Sequence, residues 1–249
     1  MKYLQLIRVA PDAEPGPDDV PTAWVEDTTR RGIRLRGDRL RPEDDATTVR
    51  RRGGNTLITD GPFAEAREQI GGFDLLEAAD LAEAIAVAAA HPVMRFGAIE
   101  LREIVPFGDP ELDVASSDDV AAGAAVDVPA GWHAYVMLMG VDDETPELDF
   151  ADPATQVAWR APLVDWIAAG RRRGYLIDGA ALAGPERATT VRTRGGRTLV
   201  VDGPFAEARE HVAGYQLIQV PSLDDAIELA ATHPSSSIGP IELRPVWPM

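Results

Sequence analysis

The chain contains no cysteine, so disulfides, thiolate metal ligands and cysteine nucleophiles are excluded together. Long apolar runs are also missing. The longest, Leu81 to Ala90, is interrupted by Glu83 and is far too short to span a bilayer. The opening MKYLQLIRVA has one lysine and a short apolar run broken by Gln5 and Arg8, without the continuous apolar centre of a secretory leader. It reads as a first strand, and the expected location is cytoplasmic. Excess positive charge is absent as well: Lys+Arg number 24 against 41 Asp+Glu, a net charge of −17. Such a surface repels phosphate backbones and anionic lipid heads, so neither nucleic acid nor membrane is the expected partner. The clusters Arg50, Arg51, Arg52 and Arg171, Arg172, Arg173 read as solvated loop or helix-end charge. No H-x-x-x-H or clustered carboxylate/His spacing occurs, which leaves no metal site and no cofactor in the expectation. There is no G-x-x-x-x-G-K-[ST] phosphate loop and no G-x-S-x-G elbow.

What is present is a repeat. Asp60 to Glu68 reads DGPFAEARE, and Asp202 to Glu210 reads the same nine letters at an offset of 142. The offset holds without a gap from Thr47-Thr48-Val49-Arg50, matched by Thr189-Thr190-Val191-Arg192, to Ile99-Glu100-Leu101-Arg102, matched by Ile241-Glu242-Leu243-Arg244. Upstream, Trp24 pairs with Trp166 and Gly32 with Gly174, whereas Tyr3 pairs with Tyr135 at an offset of 132, so the second copy carries ten extra residues in its first helical region. Internal repetition of this kind defines the architecture before any local reading. The expected division is copy 1 over 1–105, a linker over 106–131 rich in Asp, Ala, Gly, Ser and Pro, and copy 2 over 132–249.

Within a copy, Tyr3 to Val9 or His133 to Gly140 reads as an apolar strand, followed by a helix over about Val20 to Arg31 or Pro153 to Arg173. Thr47 to Arg51 and Thr56 to Thr59 form a hairpin across Gly53, Gly54 and Asn55, repeated across Gly195 and Gly196. Gly72 to Glu77 and Gly214 to Gln219 read as strands leading into helices capped by Asp80 and Ser222. His91-Pro92 and His233-Pro234 stop those helices, and Ile99 to Arg102 alternates as a closing strand. The fold class expected is α+β: two ferredoxin-like βαββαβ units, each with an extra hairpin.

The DGPF motif, the GG(F/Y) strand start, the helix ending in His-Pro and the closing (I)EL(R) strand resemble the YCII-related (DGPF) family over nearly all of both copies. The resemblance implies a ferredoxin-like α+β barrel of paired units, so that this chain looks like a dimer made covalent: an intramolecular pseudo-dimeric α/β barrel with a small-molecule cleft between the copies. It also implies a link to extracytoplasmic-function sigma factors, and hence a sigma-factor-related protein partner. One branch of the wider family carries out cofactor-free dehydrochlorination with a His on the first helix and an Asp before Pro at the end of the second. This sequence has no His on either first helix and holds His91-Pro92 and His233-Pro234 at the Asp-Pro position.

Four residues are candidates for acid–base chemistry. Asp60 and Asp202 precede Gly-Pro, where a carboxylate caps a tight turn or, if buried, accepts a proton. His91 and His233 end helices, where an imidazolium bonds the last carbonyls or a neutral ring serves as a base. Phe63 and Phe205 anchor the turn or stack on a ligand. Arg67 and Arg209 join a surface charge network or hold a small anion in bidentate fashion. The functional readings are a binding or regulatory protein for a small anionic or aromatic ligand, a cofactor-independent lyase using the Asp and His residues, and a protein-interaction scaffold.

Overall fold

The architecture is taken from a computed structural model, which describes residues 1–10, 13, 16–63, 68–105, 128–142, 145, 153–204 and 211–247. The first repeat runs β1 (Lys2–Val9), α1 (Thr22–Arg30), β2 (Arg34–Arg39), β3 (Thr47–Arg52), β4 (Asn55–Asp60), β5 (Gln69–Glu77), α2 (Leu81–Ala89) and β6 (Gly97–Val105). The second runs β7 (His133–Val141), α3 (Pro153–Arg172), β8 (Leu176–Leu182), β9 (Thr189–Arg194), β10 (Arg197–Asp202), β11 (His211–Val220), α4 (Leu223–Thr232) and β12 (Ile241–Pro245). The order is the expected one, and α3, at 20 residues against 9 for α1, absorbs the extra residues of the second copy. Strands β2 and β8 have no counterpart in the sequence reading. The expected linker lies outside the described residues except for 128–131.

Local chemistry places the elements. Gly53 and Gly54 at φ 55° and 83°, and Gly195 and Gly196 at 56° and 73°, occupy the left-handed region that a two-residue hairpin turn demands. The Asp80 carboxylate accepts the Glu83 N–H at 2.9 Å and the Ser222 hydroxyl accepts the Asp225 N–H at 3.2 Å, which satisfies otherwise open donors at the starts of α2 and α4. Each first helix is fixed to its second by an indole: Trp24 Nε1 donates to the Val87 carbonyl, and Trp166 Nε1 to that of Leu229, both at 3.0 Å.

The strands form one antiparallel sheet system in which the repeats exchange hairpins. Strands β2-β5-β1-β6 of the first repeat continue into β9-β10 of the second, through Ile99 opposite Val191. Conversely β8-β11-β7-β12 continue into β3-β4 of the first, through Ile241 opposite Val49. The two six-stranded halves meet where β6 pairs with β8, Ile104 opposite Leu182, and at the equivalent bridge of Leu40 with Val246. The hydrogen-bonded strand path itself runs open from β2 to β4.

Three apolar clusters result. Under α1 and α2 lie Tyr3, Trp24, Leu76, Ile99 and Leu101, closed by Val191 of the exchanged hairpin. Under α3 and α4 lie Tyr135, Met137, Trp166, Ile218 and Ile241, closed by Val49. The third cluster, with Leu4, Leu6, Phe73, Val136, Leu138, Tyr215 and Leu217, fills the space between the two sheets. Each such aliphatic or aromatic side chain contributes roughly 1.5–3 kcal/mol when removed from water, and all three cores draw residues from both repeats.

Candidate functional site

Alternation along β6 sends Ile99 and Leu101 beneath the helices and turns Glu100 and Arg102 to the opposite face, with Ile104, between the sheets. Equivalent alternation in β12 does the same for Glu242 and Arg244. All four are buried charges, which persist only if paired. Arg102 Nη1 lies 3.3 Å from Glu100 Oε1, and Arg244 Nη1 lies 3.1 Å from Glu242 Oε1. Each guanidinium then reaches into the other repeat, where Arg102 Nη2 donates to the Ala183 carbonyl and Arg244 Nη2 to that of Arg41, both at 2.6 Å. Burial pulls Arg102 below its ordinary value, and the Glu100 carboxylate opposes that shift.

The second oxygen of each glutamate distinguishes the two places. Glu100 Oε2 accepts from Arg8 Nη2 at 3.0 Å. Glu242 Oε2 accepts instead from the backbone N–H of Phe63 at 3.2 Å, so the DGPF segment of the first repeat is seated on the closing strand of the second. Gly140 stands where the first repeat has Arg8, at the 132-residue offset. A Cβ there would come within 2.8 Å of the Phe63 ring; the missing side chain is the space that the phenyl group occupies.

Further charges stand around Glu100 and Arg102. Burial raises the Glu68 carboxyl, an effect moderated by Arg192, Arg8 and Arg194. His211 is half-buried; burial and then Arg102 lower its imidazole, while Glu100 and Glu186 act the other way. Three buried polar atoms here, Arg8 Nε, Arg102 Nε and Glu68 Oε2, have no hydrogen-bond partner among the described residues. The place therefore offers two donors and one acceptor to a molecule that can complete them.

The candidate acid–base residues Asp60, Asp202, His91 and His233 stand elsewhere. Asp60 and Asp202 are exposed at the last positions of β4 and β10, opposite Thr47 and Thr189. The turns that follow are closed by backbone: Gly61 and Gly203, at φ 93° and 100°, donate to the carbonyls of Ala46 and Ala188 at 2.9 and 2.8 Å. His91 and His233 are buried. Instead of capping the preceding helix as imidazolium, each accepts through Nδ1 the N–H of the residue two ahead, Val93 at 3.0 Å and Ser235 at 3.1 Å, and so starts the following 3-10 turn. An edge-on indole covers each ring, Trp24 and Trp166, at 4.5 Å between centroids. Burial holds His91 below its ordinary value against the pull of Asp74, and burial drives His233 to about 3. The charges acting on His91 are thus Asp74 and Arg34 rather than Asp60. Arg67, Phe205 and Arg209 lie outside the described residues. Among the described residues no group of His and carboxylates is placed to hold a metal, and no helix is long and apolar enough to cross a membrane.

Glu100, Arg102, Arg8, Glu68 and His211 were not singled out from the sequence as a site. The signal available was the repeated Glu-Leu-Arg of the closing strand, where two charges alternate with core residues; a charge there reads as solvent-facing unless the other sheet is known to cover it.

Comparison with known proteins bears on the same segments. The chain is 41% identical over 75 residues to an uncharacterized protein of Rhizobium meliloti (strain 1021), a match that covers 29% of this chain and 60% of that relative. The family model of the YCII-related domain matches twice, over residues 1–108 and again over 136–249. The chain therefore belongs to the YCII-related domain family and carries the domain in tandem.

Proposed function

We propose that this protein binds a small anionic molecule between its two repeats, at the place where Arg8, Glu100 and Arg102 meet Glu68 and His211. The observation that carries this reading is the set of three buried unpartnered atoms, Arg8 Nε, Arg102 Nε and Glu68 Oε2, since buried polar groups are otherwise almost always satisfied. A carboxylate would accept from the guanidinium N–H groups, and a neighbouring hydroxyl would donate to Glu68. Arg67 and Arg209 belong to the same reading through their place in the chain, one residue before Glu68 and two before His211. In this reading copy 1 (1–105) and copy 2 (132–249) act as two domains whose sheets, joined at Ile104–Leu182 and Leu40–Val246, enclose the ligand as a pseudo-dimeric barrel. Asp60 and Asp202 are exposed and His91 and His233 are buried as turn caps, so the binding reading is preferred here to the acid–base one.

Calorimetric titration with a panel of small aliphatic and aromatic carboxylates tests this. Arg8→Met is expected to weaken binding at least tenfold, about 1.4 kcal/mol, and to lower the melting temperature only partly, since Arg102 still pairs with Glu100. Equal affinity in wild type and Arg8→Met, or no carboxylate bound by wild type, would overturn it.

A further inference from the structure

The repeat makes residues 36 and 178 equivalent, and they touch. Arg36 on β2 and Asp178 on β8 stand 142 positions apart, the offset relating the copies. Arg36 Nη1 lies 3.7 Å from Asp178 Oδ2, with side chains only 10% and 2% exposed. Two equivalent positions in mutual contact lie at the axis that relates the repeats. At such a place, pairing of two first repeats would set arginine against arginine, and pairing of two second repeats would set aspartate against aspartate.

The surroundings are divided in the same way. Tyr215, 1% exposed, stands on the Asp178 side, and its counterpart is Phe73. Asp178 Oδ1 accepts the Gly179 N–H at 2.7 Å, whereas Arg36 Nε and Nη1 and the Tyr215 hydroxyl make no hydrogen bond among the described residues. The contact is longer than a hydrogen bond and leaves polar atoms unsatisfied. A buried pair of this quality adds little net stability over an apolar pair, yet either like-charge combination in the same dry place is strongly unfavourable. Its value is selective.

We propose that Arg36 and Asp178 form a charge lock that admits a first repeat only against a second repeat and rejects like repeats, so that each chain folds upon itself. The partner this surface fits is the opposite repeat, and the closing of the chain into one particle rests on that complementarity as well as on the covalent connection.

Full-length charge variants test it. Arg36→Asp places aspartate at both positions, and Asp178→Arg places arginine at both. Each alone is expected to melt roughly 5–15 °C below wild type. The double exchange Arg36→Asp/Asp178→Arg in one chain should recover most of that loss and remain monomeric by size-exclusion chromatography with light scattering. Co-expression of the two single variants, each with its own tag, should yield a mixed dimer of twice the 26.8 kDa chain mass, which neither variant forms alone. Single variants as stable as wild type, a double exchange no better than the singles, or co-expressed variants that copurify no more than two wild-type chains would each overturn the lock.

Discussion

Glu100 and Glu242 occupy equivalent positions on equivalent strands, yet one is held by the Arg8 side chain and the other by the backbone of Phe63. The equivalent positions Arg8 and Gly140 differ here, and only a residue without Cβ at 140 leaves room for the Phe63 ring. The histidines show how burial overrides a local signal. A His at a helix end reads as a dipole-stabilised cation, but beneath Trp166 the cost of charging the ring dominates, and His233 falls to about 3. Because the folded value lies below the unfolded one of about 6.5, the unfolded state takes up the proton first. The stability contributed by neutral His233 is complete above pH ~6.5 and is lost as the pH falls toward 3, at up to about 1.4 kcal/mol per pH unit. Urea unfolding of wild type and His233→Asn at pH 7.5, 6 and 4.5 checks the sign: the variant keeps an acceptor for Ser235 but does not titrate there. Wild type should lose its advantage as the pH falls, and a constant difference would show that His233 does not titrate in that window. Much at this scale was legible, including the helix caps, the hairpin glycines and the turn at DGPF. The covered charges were not, because whether Glu100 faces water or another sheet is decided by contacts far away in the chain.

At the scale of elements, the boundary between legible and hidden runs through strand pairing. The hairpins β3-β4 and β9-β10 are local, and turn chemistry specifies them. Their attachment to the other repeat's closing strand is non-local and leaves no mark in composition or period. Strand β2 was hidden for a different reason. Its residues, RLRGDR, show no apolar alternation, since charged side chains stand at positions that Asp74 and Asp178 neutralise. The outermost strands β4 and β10 are exposed at every position, including Ile58 at 52% and Val200 at 47%. Among the described residues each pairs on one side only, and an apolar strand with a free edge is a template for association. Ile58→Lys and Val200→Lys should each leave unfolding within about 0.5 kcal/mol of wild type and reduce concentration-dependent light scattering. Unchanged scattering, or a marked loss of stability, would show that these side chains are covered by something else.

At the scale of the whole molecule, duplication was plain from the sequence and hairpin exchange was not. Exchange makes each helix-covered core depend on a valine from the opposite repeat, Val191 for the first and Val49 for the second, so neither half completes its interior alone. Thermal unfolding is accordingly expected as one transition, with calorimetric and van't Hoff enthalpies in agreement. Two separated endotherms would mean that the repeats melt as independent bodies. The divergence at Arg8 and Gly140 carries a further consequence. Two places built from one duplicated segment have ceased to be interchangeable: beside Glu242 the Phe63 ring fills the space that Gly140 leaves, and beside Glu100 the equivalent position carries the Arg8 guanidinium. A ligand that requires the Arg8 guanidinium would therefore be taken up at a single equivalent per polypeptide, half of what the internal symmetry would suggest.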